Sequence, residues 1–82
     1  MNEFQKELLI NKFNDWKEAK DKYENMPKGL TLKEQVQLEF LSDTAFWTLV
    51  DTASVYLGRD AMDLIAELPD DACSTDFIRA LQ

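Results

Sequence analysis

Apolar side chains recur every three or four residues along the first third of the chain. Leu9, Phe13, Trp16 and Tyr23 fall on one narrow stripe at the helical period, with Lys20 in the same register. The positions on the opposite side are polar, so the pattern predicts an amphipathic helix over about residues 3–25. We expect the stem of Lys20 to follow apolar surface while its ammonium group reaches water.

A turn and a second helix start follow at once. Pro27 disfavours helical backbone in the residue before it, so the first helix should end there. Thr31 and Glu34 then match the capping box, in which each side chain bonds the backbone N–H of the other residue. This signal predicts a second long helix over about residues 32–57, ending before a glycine.

The second helix has two apolar faces instead of one. The first face contains Leu38, Leu41, Ala45, Leu49 and Tyr56. The second face contains Val36, Phe40, Trp47, Val50 and Leu57, flanked by Phe46 and Ala53. A neutral polar strip of Gln37, Thr44 and Thr48 separates them. A helix that is apolar on two sides is expected to pack against something on both.

The first face is expected to pack against the first helix. In an antiparallel hairpin, Trp16 would lie opposite Leu41, and Leu9 opposite Leu49. We therefore interpret residues 3–57 as an αα-hairpin, the main element of an all-α fold.

The C-terminal segment predicts two short helices. One covers about residues 60–68, with Asp60 as its N-cap and a proline after it. The other covers about residues 74–81, with Ser74 as its cap. Together they complete a small helical bundle in one domain, residues 1–82, but offer too few apolar side chains to cover all of the second face of helix 2.

The uncovered remainder of that face would then pack against another molecule. We expect a homodimer that buries Phe40, Trp47 and Val50 as a self-complementary patch. A target protein is the alternative cover.

Charge is distributed unevenly along the 82 residues. Residues 1–33 carry six acids and seven lysines, whereas residues 34–82 carry ten acids and only two arginines, for a net charge of −7 overall. A field of this sign repels phosphates and anionic lipids, so we expect no direct nucleic-acid binding and no membrane binding. It attracts a basic surface on a larger protein.

The residue types present exclude most site chemistry. The chain has no histidine, one cysteine and two glycines, so histidine-based zinc sites, serine triads and glycine-rich phosphate loops are all impossible to build. We therefore expect no metal, no cofactor and no catalytic residue, and interpret Cys73 as a small apolar filler. A single cysteine and the lack of a leader-like N-terminus predict a cytoplasmic protein.

One short segment resembles a known family. Leu68-Pro69-Asp70-Asp71 is similar to the Ile-Pro-Asp-Glu segment of acyl carrier proteins. The Asp-Ser-Leu sequence whose serine carries the phosphopantetheine arm in that family is absent, because Ser42 stands in Leu-Ser-Asp within a predicted helix. We reject the family on this ground.

Glu39 and Asp43 are like charges one helical turn apart beside the second apolar face. Three interpretations stay open: a rim ion pair with Arg59 or Arg79, which we rank first; recognition of a cation on a partner; and a paired-carboxylate catalytic site, which we rank last. The candidate partner-binding residues are Glu39, Phe40, Asp43, Trp47 and Asp51.

These observations favour a small acidic protein-interaction module without enzymatic activity. Its size and acidity are typical of the regulators and inhibitors of phages and mobile elements, which is an analogy of style. The first alternative is a DNA mimic that inhibits a nucleic-acid-binding protein. The second is a small enzyme that uses the Glu39 and Asp43 carboxylates.

Overall fold

Four helices and no strand make up the protein, in a computed structural model that describes residues 1–82. The helices are α1 (Glu3–Glu24), α2 (Leu32–Leu57), α3 (Met62–Ala66) and α4 (Ser74–Leu81). The two long helices pack against each other along the molecule, α4 packs on α1, and α3 packs on α2 and α4. The predicted all-α bundle built on an αα-hairpin is confirmed.

Local sequence signals determine where the long helices begin and end. The Thr31 hydroxyl accepts the Glu34 backbone N–H at 3.2 Å, and a Glu34 carboxylate oxygen accepts the Thr31 backbone N–H at 3.4 Å. Gly58 ends α2 with a φ of 72°, a left-handed conformation that other residues rarely adopt. Asn2 and Gln5 form an equivalent capping box at the start of α1.

The two short helices differ from the prediction at their starts. The third helix covers Met62–Ala66 instead of residues 60–68, and its N-cap is Ala61 and not Asp60. The Asp60 carboxylate still accepts the Met62 backbone N–H at 2.9 Å. The last helix begins at Ser74, so its N-cap is Cys73 and not Ser74. Cys73 is exposed, and its interpretation as an apolar filler is therefore wrong.

The hydrophobic core lies at one end of the hairpin. All nine residues of its buried cluster come from the first half of α1, the second half of α2 and the C-terminal segment: Leu9, Phe13, Leu49, Val50, Ala53, Ala61, Ile65, Phe77 and Leu81. Phe13 and Phe77 stack there with ring centroids 4.8 Å apart, which attaches α4 to α1. We call this region the packed end.

The other end of the hairpin is bare. None of residues 14–41 is buried, a stretch that includes the turn and the facing halves of α1 and α2. The molecule accordingly measures 44 × 22 × 21 Å, and its radius of gyration is 13.7 Å, against about 12 Å for a typical domain of this length. We call this projecting two-helix region the open end.

The rotation of α2 differs from the predicted one. Trp16 packs against Phe46, with ring centroids 5.5 Å apart, whereas its predicted partner Leu41 is 56% exposed. The side of α2 that faces the core therefore lies around Phe46, Leu49 and Ala53. Because α2 is apolar over a wide sector, periodicity alone did not determine which part of it faces α1.

The second face of α2 is covered over half its length only. Val50 is 4% exposed and belongs to the core, so it cannot contribute to a dimer patch as predicted. Phe40 and Trp47, closer to the open end, are 67% and 51% exposed. The expectation that the two short helices would cover only part of this face is confirmed.

Candidate functional site

The five candidate residues lie on one exposed side of α2. At 100° per residue, Glu39, Phe40, Asp43, Trp47 and Asp51, together with Val36, fall within a sector of about 120°. All six are exposed. We call this sector the aromatic–acidic face. The structure therefore brings the predicted residues together on one surface.

The sequence analysis placed Val36 on the second apolar face of α2 but did not include it among the candidate partner-binding residues. It lies one helical turn before Phe40 and is 53% exposed. The i, i+4 spacing of Val36 and Phe40 was the available signal, but it does not reveal that both side chains are left uncovered.

An aromatic chain connects the face to the interior. Trp47 meets Phe46 edge-on at 5.3 Å between ring centroids, Phe46 meets Trp16 at 5.5 Å, and Trp16 meets Phe13 at 5.8 Å. Phe13 is itself buried in the core. Trp47 therefore already packs against other rings in the free protein. Its side chain would lose less conformational entropy when a partner binds.

The acids of this face have no cation partner within the protein. None of the five ion pairs in the structure involves Glu39, Asp43 or Asp51. The first-ranked interpretation, a rim ion pair between Glu39 or Asp43 and Arg59 or Arg79, is wrong. Arg79 instead approaches Asp76 at 3.9 Å within α4, and Arg59 makes no ion pair.

Lysines of α1 hold the connector between α3 and α4 next to the aromatic chain. The Lys20 Nζ lies 3.3 Å from an Asp70 carboxylate oxygen and 5.4 Å from the centroid of the Trp16 ring. Lys17 donates a hydrogen bond to the Asp70 backbone carbonyl. We call this set of contacts the Asp70 clasp. The ammonium of Lys20 thus lies at the surface, as the sequence predicted, and is paired there with the exposed Asp70 carboxylate.

Asp76 is the one ionisable group whose pKa is clearly shifted. The Cys73 backbone N–H donates to its carboxylate at 3.1 Å, the Cys73 thiol donates at 3.4 Å, and Arg79 lies nearby. These contacts favour the charged form and lower the pKa of Asp76 below its ordinary value of 3.8. This group caps α4 and lies outside the aromatic–acidic face.

No group of three or more cysteine, aspartate or glutamate side chains is gathered where it could hold a metal ion. Glu39 and Asp43 both lie on exposed helix surface.

None of the four helices is long and apolar enough to cross a membrane.

Comparisons with known proteins identified no relative of this chain. No protein family, curated protein or solved structure matches this chain.

Proposed function

We propose that this protein is a non-enzymatic interaction module that docks the aromatic–acidic face on a basic surface of a larger protein. The observation that carries the proposal is the coincidence of exposed Phe40 and Trp47 with three acids that have no internal cation. Exposed aromatic side chains are frequent anchors of protein interfaces, and surrounding charges select the partner.

The bare open end supports the same proposal. No residue of 14–41 is fully buried, so this part of the hairpin gains less from packing than the packed end does. Exposed apolar patches on small proteins commonly mark interaction sites. A bound partner would remove this apolar surface from water. In its absence we propose that a second copy covers the same face, so that the free protein forms a weak homodimer.

The proposed role is that of a regulator or inhibitor of its partner in the cytoplasm. The chain has no histidine and one cysteine, which supports a binding role over catalysis and a reducing compartment over an oxidising one.

An affinity capture with matched variants tests the proposal. The tagged protein and its Phe40→Ala/Trp47→Ala variant are incubated with an extract of the source organism. A Phe4→Ala/Val55→Ala variant serves as the control, because those two side chains are also exposed and apolar but lie outside the face. We expect the wild type and the control to retain the same basic protein and the face variant to lose it.

Duplex DNA added to the capture separates docking from DNA mimicry. If the protein is a DNA mimic, DNA competes with it for the captured protein, and replacing acids weakens capture more than replacing Phe40 and Trp47 does. Capture that is equal for the wild type and the face variant would contradict the proposed docking surface.

A further inference from the structure

The packed end has a layer that the open end does not have, formed by α3 and α4. At the packed end, α3 packs on α2 and α4 packs on α1, and Val50 is buried in the same core cluster as Ile65 and Phe77. The Asp70 clasp lies where this cover stops, since Lys17 and Lys20 hold Asp70 beside Trp16. Beyond it, the same side of the hairpin has two helices and nothing above them.

Charge decides which kind of molecule suits the uncovered side. Glu39, Asp43 and Asp51 follow one another along it at intervals of about 6 and 12 Å, from a rise of 1.5 Å per residue. None of them has a cation partner within the protein. A ligand that supplies cations at this spacing can therefore pair with these carboxylates without displacing an internal lysine or arginine. A second copy instead brings the same acids towards each other, which makes it the weaker occupant.

The spacing of the exposed apolar side chains suits a helical ligand. Phe40 and Trp47 are two helical turns apart, about 10 Å, and Val36 extends the apolar row by one more turn. Helices that bind in a groove place their anchors at the same intervals of three, four and seven residues.

We infer that the aromatic–acidic face binds a basic amphipathic helix of the partner. The bound helix lies along α2 between Val36 and Asp51, places apolar side chains against Phe40 and Trp47, and pairs its cations with Glu39, Asp43 and Asp51. It adds a third helix over the part of α2 that α3 and α4 leave uncovered. This inference rests on the proposed function and specifies its partner.

A synthetic peptide tests the inference without knowledge of the partner. The probe has about 18 residues, enough to form a helix on binding, with leucine and arginine on one face and alanine and glutamine elsewhere. A control peptide has the same composition in an order that spreads leucine and arginine around the helix. Binding is measured by calorimetry, and the site is mapped by amide chemical shifts of the full-length protein.

We expect the amphipathic peptide to bind and the control peptide to bind at least about tenfold more weakly. Shift changes should be confined to residues 32–51 and the facing part of α1. Phe40→Ala should weaken binding about tenfold, while Val55→Ala, which removes a 76% exposed apolar side chain one helical turn beyond Asp51 and outside the Val36–Asp51 interval, should not change it. Because Phe40 is largely exposed, its variant keeps the fold, as circular dichroism should show.

The acids have a matched test of their own. Glu39→Gln/Asp43→Asn should weaken binding of the amphipathic peptide several-fold, whereas Glu67→Gln/Asp71→Asn, which removes two exposed acids that have no ion pair, should not. Equal binding of the two peptides, shifts centred on residues 60–82, or an unchanged affinity of Phe40→Ala would each overturn the inference. A tight dimer that the peptide fails to displace from this face would also overturn it, in favour of a second copy.

The two proposals can fail separately. If the extract yields a basic protein through Phe40 and Trp47 but the peptide does not bind, the helical form of the ligand is wrong and the docking function stands. If neither binds through this face, the docking function fails with it.

Discussion

Trp16 connects the two ends of the molecule. Its ring contacts Phe13 on the core side and Phe46 on α2, and the Lys20 ammonium lies over it. Leu41, which the sequence pattern placed opposite Trp16, is instead 56% exposed. The energetic importance of these two side chains should therefore differ widely.

Replacing them one at a time tests the observed packing. Trp16→Ala should lower the free energy of unfolding by about 3 kcal/mol, because it removes a large side chain from a partly buried aromatic cluster. Leu41→Ala should lower it by less than about 1 kcal/mol. Urea denaturation measures both values. Equal losses would show that Leu41 packs against α1 after all.

Asp76 makes the start of α4 sensitive to acid. Its pKa is lowered by the backbone N–H of Cys73, so the folded protein binds this proton less readily than the unfolded chain does. The resulting stabilisation is complete above the ordinary pKa of 3.8 and is lost as the pH falls below it, through the folded-state value.

We expect Asp76→Ala to be less stable than wild type at neutral pH, and the difference to shrink as the pH falls below 3.8. Urea denaturation over a pH series measures this difference. A gap between the two proteins that stays constant across the series would show that the carboxylate charge does not stabilise α4.

Among the elements, helices with capping signals were the most predictable. Thr31, Glu34 and Gly58 determine the ends of α2, and these are local interactions that a sequence displays directly. The third helix was predicted too long because Asp60 and Pro69, from which its ends were predicted, do not show where the chain turns towards α4. The direction in which α4 packs depends on the stacking of Phe13 on Phe77, a contact between residues far apart in sequence.

The connector between α3 and α4 gives a prediction at this scale. Asp70→Asn removes the carboxylate that Lys20 approaches at 3.3 Å. Because both groups lie at the surface, the free energy of unfolding should fall by less than about 1 kcal/mol, while amide exchange over residues 67–73 should become faster. Asp71→Asn is the control, since Asp71 makes no ion pair. Identical exchange in the two variants would mean that the ion pair between Lys20 and Asp70 does not hold the connector.

For the whole molecule, the sequence indicated which residues share a surface but not which part of that surface stays open. Glu39, Phe40, Asp43, Trp47 and Asp51 follow from the helical period alone. Val50 has the same periodicity and is buried by the core, which depends on how the C-terminal segment folds back. The sequence also did not determine whether Glu39 and Asp43 form ion pairs with an arginine, because Arg59 and Arg79 lie in that same C-terminal segment.

The net charge of −7 predicts opposite salt effects on the two kinds of association. Two copies that meet through the aromatic–acidic face bring like charges together, so their dimer should become stronger as salt is raised and the Debye length falls from about 30 Å at 0.01 M to about 8 Å at 0.15 M. A basic partner or peptide should associate more slowly and bind more weakly over the same range.

Sedimentation of the free protein and surface plasmon resonance with the captured partner, each over a salt series, measure the two effects. Phe40→Glu should abolish the dimer, because it adds a charge at the centre of the apolar row. A clean monomer at high protein concentration would remove the homodimer and leave the partner as the only cover for the face. Partner association that does not respond to salt would contradict electrostatic docking, and binding would then depend on Val36, Phe40 and Trp47 alone.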